Sequence, residues 1–228
     1  MSFIKKFVGD KAFYKMTLTV AVPIMIQNFI TNFVSMLDNL MVGSLGTEQM
    51  SGVSIVNQLI FVFGLAVFGA LSGAGIFTAQ FYGKNDEDGI RYTLRYKLII
   101  SGIILVIALA VFSFFDDFLI RLYLHESDGA GNIELTLTFA KQYLRIMLWS
   151  ALPFCVTQIF SSTLRETGET VAPMVAGLIA VITNCTFNWV LIFGKLGFPA
   201  LGVEGAAIAT NIARYVECVI IIIYAASK

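Results

Sequence analysis

Six apolar stretches, at about 14–42, 53–80, 98–115, 143–164, 174–193 and 206–226, are each long enough to cross hydrocarbon as a helix. Segments of that kind must satisfy their backbone hydrogen bonds internally, which confines a chain carrying six of them to a helix bundle. The expected fold is all-α: a polytopic membrane protein whose six transmembrane helices form one bundle. Composition agrees, because 57% hydrophobic residues, 13% charged residues and a mean hydropathy of +0.82 lie far from soluble usage.

The first stretch, YKMTLTVAVPIMIQNFITNFVSMLDNLMVGSL from Tyr14 to Leu45, carries a proline, several amides and one carboxylate where hydrocarbon should lie. An ionised group at bilayer depth costs on the order of 3 kcal/mol, so Asp38 needs protein, water or a cation beside it. Gln27, Thr31, Ser35 and Asp38 recur at helical spacing, and Asn28, Asn32, Ser35 and Asn39 form an adjoining stripe. One face of this helix is therefore read as wet, although the same amides can serve as glue between helices. Pro23 lacks a backbone donor and its ring crowds the carbonyl of Thr19, so a bend is expected there.

Later segments add fewer chemical groups. Gly64, Gly69, Gly73 and Gly75 suit close helix packing in lipid. Asn57 and Gln58 make one end of the second span polar. Asn184 and Asn188 stand four apart and share a face of the fifth span. The sixth holds Thr210, Asn211, Arg214 and Glu217, of which the last two are spaced to neutralise each other.

Several classes of function are disfavoured. A formal net charge of zero and the lack of a basic tract argue against a nucleic-acid partner. Cys155, Cys185 and Cys218 sit singly in apolar segments, which indicates neither a disulfide framework nor a zinc site. The single histidine, His125, lies in a loop and is assigned no role. Without paired histidines, or a nucleophile with its base, an integral-membrane enzyme is not expected. No cofactor is expected, and these residues indicate no metal cluster.

Six spans put both termini on one side. Lys5, Lys6, Lys11, Lys15, Lys84, Arg91, Arg95, Lys97, Arg165 and Lys228 all fall on that side, against Arg121, Lys141 and Lys195 opposite. The positive-inside rule makes it cytoplasmic, in the cytoplasmic membrane. The apolar run after the basic start is too long for a signal-peptide core and is expected to remain as the first span. Phe3, Ile4, Phe7 and Val8, set against Lys5, Lys6 and Lys11, suggest a short amphipathic stretch before it.

Three segments in order, MLDNLMVGSLG, RETGETVAPM and NCTFNWVLIFGKLGFPALGVEGAAIAT, together with the even spacing of six helices, resemble the multidrug and toxic compound extrusion (MATE) family over essentially the whole chain. The resemblance implies two six-helix bundles around a central cavity, exporting drugs or other small organic cations in exchange for protons or sodium ions. This chain is similar to the first bundle, the N-lobe, and a second bundle is expected as its partner. It is read as a truncated gene, a fragment or a split half. By the same resemblance Asp38 matches the carboxylate that binds the coupling ion, Pro23 the proline of the bending helix, and Asn184 an amide of the ion site. Asn188 matches a position that is acidic in some members. Tyr143 and Thr210 match lining residues. Gln27, Asn32 and Gln58 are added as cavity-lining candidates.

For sodium, the oxygens of Asp38, Asn184, Asn188 and Thr210 can supply ligands; a proton needs only Asp38. A flippase for lipid-linked glycans, related in architecture, is the alternative. It would be expected to line its cavity with several arginines, and only Arg145 and Arg214 fall within spans.

Overall fold

The computed structural model describes residues 10–124 and 132–227, so the amphipathic stretch before Asp10 and the loop histidine His125 lie outside the described residues. Six long helices and one short one follow in order: α1 (Lys11–Gly43), α2 (Thr47–Gly83), α3 (Glu87–Phe114), α4 (Asp116–Arg121), α5 (Ile133–Glu166), α6 (Val171–Phe193) and α7 (Gly202–Ala226). All but α4 are long and apolar enough to cross a membrane. No strand occurs among the described residues.

Local chemistry sets the helix starts. Asp10 accepts from the Phe13 amide at 2.7 Å, Asp86 from the Gly89 amide at 2.9 Å, and Asn132 from the Glu134 and Leu135 amides. Each satisfies donors that a first turn leaves open. Gly194 closes α6 in the left-handed region (φ 65°), where a Cβ would meet the Ala200 nitrogen at 2.6 Å.

The helices reach further than the apolar windows read from sequence. The charged segment 82–97 lies between the apolar windows 53–80 and 98–115, yet α3 begins at Glu87 and carries Lys97 inside it. Likewise the stretch from Asp116 to Lys141 holds α4 and the first turns of α5 rather than one loop. Polar residues at a helix end lower its hydropathy without breaking its hydrogen bonds, which is why composition alone ended these spans early.

α5 is central and packs on α2, α3 and α7; α6 packs on α7, and α1 lies against α6. One core of Val42, Val53, Val56, Leu59, Ile120, Leu144, Ile192 and Ala207 fills the end nearest the α1–α2 turn. Another, of Phe63, Val67, Leu71, Leu105, Cys155 and Ile159, fills the middle of α2, α3 and α5. Small residues permit the closest approaches. A Cβ on Gly205 would stand 2.7 Å from the Leu191 carbonyl oxygen, and one on Gly52 3.0 Å from that of Thr136. The glycines singled out in α2 divide: Gly75 abuts Glu166 and Gly64 faces Phe154, whereas Gly69 and Gly73 meet nothing within 4 Å.

α1 sits at the edge of the bundle. Met16, Met25, Phe29 and Leu40 are all largely exposed; α1 meets the bundle through Val42 and Met41 at its end and through the polar side chains of Gln27 and Asp38.

Candidate functional site

Asp38 occupies the last third of α1, on the face that meets α6. Asn188 Nδ2 donates to Asp38 Oδ1 at 2.5 Å and to Asn184 Oδ1 at 3.2 Å. Asn184 and Asn188 are one turn apart on α6 and both are buried, so both amides reach the carboxylate from one side. Thr210, on α7, lies 3.2 Å from the Asn184 amide and donates to the Ala206 carbonyl at 3.0 Å.

The Asn184 amide has two useful orientations. Turned with its oxygen toward Asp38, it accepts from Asn188 and donates to Thr210. Turned with its nitrogen toward Asp38, it donates to both carboxylate oxygens at 3.0 Å and accepts from the Thr210 hydroxyl at 3.2 Å. An ionised carboxylate offers only acceptors and favours the second; a protonated one can donate to the amide oxygen and favours the first. Asn188 Oδ1 is buried and finds no hydrogen-bond partner among the described residues, an oxygen on the same amide that meets the acid.

A cavity of about 110 Å³ opens beside this group, lined by Asp38, Asn184, Thr210, Arg214 and Glu217 among others. It follows α7 from Thr210 to Glu217, about 10 Å along the axis. Its polar lining and volume suit several water molecules. Arg214 Nη1 stands 3.4 Å from Glu217 Oε2, so the pairing read from their spacing is made.

The remaining candidates separate. Tyr143 is buried near Thr210, and its hydroxyl donates to Asn57 Oδ1 at 3.4 Å. Gln27 lies off the cavity as a clamp: its Oε1 accepts from Arg165 at 2.9 Å and its Nε2 donates to the Pro173 carbonyl at 3.3 Å. Pro23 lies one turn before Gln27, and α1 continues through it. Asn32 and Gln58 are exposed and do not line this cavity.

Sequence reading missed two groups. Arg165, placed in a loop, belongs to the last turn of α5 and holds Gln27. Lys97 is fully buried, paired with Glu166 and flanked by Ser162 and Thr163. Both stand in polar runs at span ends, where charge is expected in solvent.

The MatE family profile matches residues 23–190, a segment that contains Pro23, Asp38, Asn184 and Asn188. The chain belongs to the MatE family. Among MatE relatives, the probable multidrug resistance protein NorM of Thermotoga maritima is 30% identical over 202 residues, 89% of this chain and 42% of that protein. The multidrug resistance protein NorM of Photobacterium profundum is 25% identical over 214 residues, 91% of this chain and 44% of that protein. A crystal structure of MATE in the bent conformation superposes with a TM-score of 0.78 at 25% identity, over 92% of this chain and 45% of the other. One in the straight conformation gives 0.80 at 23% identity, over 92% and 44%. The chain thus spans a little under half the length of these relatives. MatE proteins are transporters rather than enzymes, and this member is a multi-pass membrane protein.

Proposed function

We propose that this chain is one six-helix bundle of a secondary active exporter, and that Asp38 is where its coupling ion, a proton or a sodium ion, binds. The observation that carries the reading is the carboxylate itself, held inside the helices by Asn188 and Asn184 at the head of a polar cavity. A cation or proton there removes the cost of an ionised acid at bilayer depth. The multidrug-resistance names of the relatives support drugs as the exported class, and the Asp38 and Glu217 carboxylates on the cavity favour cationic ones.

Ion occupancy then acts on α1. Polar contacts tie α1 to α6 at two places among the described residues: Asp38 to Asn188 and Asn184, and Gln27 to the Pro173 carbonyl. Neutralising Asp38 weakens only the first, so the segment beyond Gln27 is freed while the clamp holds. Pro23 supplies the missing backbone donor at which the helix bends. An ion can shift such an equilibrium only by its differential affinity for the two shapes. Sodium would draw on Asp38, Thr210 and the oxygens of the two asparagines, including Asn188 Oδ1.

A second six-helix bundle is the proposed partner, facing the exposed side of α1 and closing the cavity. Both termini are proposed to be cytoplasmic, in the cytoplasmic membrane, on the distribution of basic residues. The test is ethidium accumulation in cells with and without the gene for the complete two-bundle transporter. Lower accumulation in its presence supports export; equal accumulation with altered surface glycans would favour a flippase.

A further inference from the structure

We infer that the Glu217 carboxylate and the Phe154 ring form a binding site for an aromatic organic cation, filled in this structure by the protein's own Arg214. The inference rests on the proposed export of organic cations and assigns their chemistry to specific side chains.

Arg214 is held by the two groups that such a ligand requires. Its guanidinium carbon lies 5.1 Å from the centroid of the Phe154 ring, and its Nη1 lies 3.4 Å from Glu217. The ion pair is loose, since charge-assisted hydrogen bonds close to about 2.7–2.9 Å. Glu217 is the more enclosed partner, with its side chain 12% exposed against 37% for Arg214, which leaves the guanidinium room to turn.

Arg214 also stands between two cavities. It lines the polar one that holds Asp38, and an apolar one of about 30 Å³ between α2, α3, α5 and α7, walled by Phe63, Phe112, Met147 and Phe154. Turning Arg214 off the ring joins an apolar, aromatic floor to a carboxylate, which is what a flat hydrophobic cation needs. The displaced guanidinium would swing into the cavity that Asp38 shares.

The test is fluorescence titration of ethidium against the full chain purified in detergent. Arg214→Leu should tighten binding about tenfold, by removing the internal competitor. Glu217→Gln should weaken it, and Arg214→Leu combined with Glu217→Gln should erase the gain. The double variant is charge-balanced and is read if Glu217→Gln alone fails to fold. Asn32→Ala, at an exposed position off the cavity, should leave the titration within about threefold, less than half a decade in affinity. An Arg214→Leu chain that binds ethidium no better than wild type overturns the inference. So does a gain that survives loss of Glu217. Binding lost in Asp38→Asn but kept in the Glu217 variants would also overturn it, while leaving the proposed ion site intact.

Discussion

Asn188 on α6 reaches 150 residues back along the chain to donate a 2.5 Å hydrogen bond to Asp38 on α1. With Gln27 it makes the polar attachment of a largely exposed helix whose end is also packed into the core at Val42. Asn188→Leu removes the donor and leaves the acid under-satisfied, at a cost of about 1.5–3 kcal/mol. Thermal unfolding in detergent should show the loss, and Asp38→Asn/Asn188→Leu should recover part of it.

The Gln27 clamp predicts a different failure. Gln27→Leu strips Arg165 of a 2.9 Å partner and the Pro173 carbonyl of its side-chain donor. Hydrogen exchange should then rise in α1 around Pro23 and Gln27 while α2, α3 and α5 keep their protection. Unchanged exchange in α1 would mean that the clamp does not hold it.

Lys97 and Glu166 join α3 to the end of α5, with Gly75 of α2 pressed against the carboxylate. Lys97→Met leaves Glu166 without its cation and should cost about 3–5 kcal/mol. Lys97→Met/Glu166→Gln should be milder, because an amide tolerates burial better than an unpaired charge. Equal unfolding temperatures for the two variants would show the pair to be dispensable.

α4 offers a pH test outside the spans. The Lys141 ammonium, 2.8 Å away, and the Arg121 guanidinium, 2.9 Å away, hold the Asp117 carboxyl below the usual carboxylate range. A carboxyl that is more acidic in the folded state stabilises it above the ordinary value of about 3.9, and that contribution fades as pH falls through the lower folded value. Protection of α4 amides should therefore drop on acidification in wild type and depend less on pH in Asp117→Asn.

How far the site was legible depended on what each residue would cost elsewhere. Asp38 stood out because a carboxylate in an apolar run is expensive anywhere except at a partner. The four-residue spacing of Asn184 and Asn188 put both on one face whatever the packing, and their place at the ion site came with the family resemblance. Asn32 and Gln58 had the same credentials, yet helical period cannot tell a face turned inward from one turned out. Lys97 and Arg165 were hidden because helices here outrun the bilayer: α2, with 37 residues, extends about 55 Å against a hydrocarbon core of about 30 Å. Charges on the overhanging turns of α3 and α5 fall outside the apolar windows, yet the fold buries Lys97 and half-buries Arg165. The order of the six long helices was plain from their apolar windows, while the clamp at Gln27 required knowing which helix α1 leans on.

Gradient-driven efflux is the most direct measure of whether Asp38 couples ion to substrate. In proteoliposomes holding the complete two-bundle transporter, an imposed proton or sodium gradient should drive ethidium movement by the wild type. Asp38→Asn should insert and fold normally yet show no gradient-dependent movement, while Asn32→Ala and Gln58→Ala keep it. Efflux by Asp38→Asn at the wild-type rate would contradict the account.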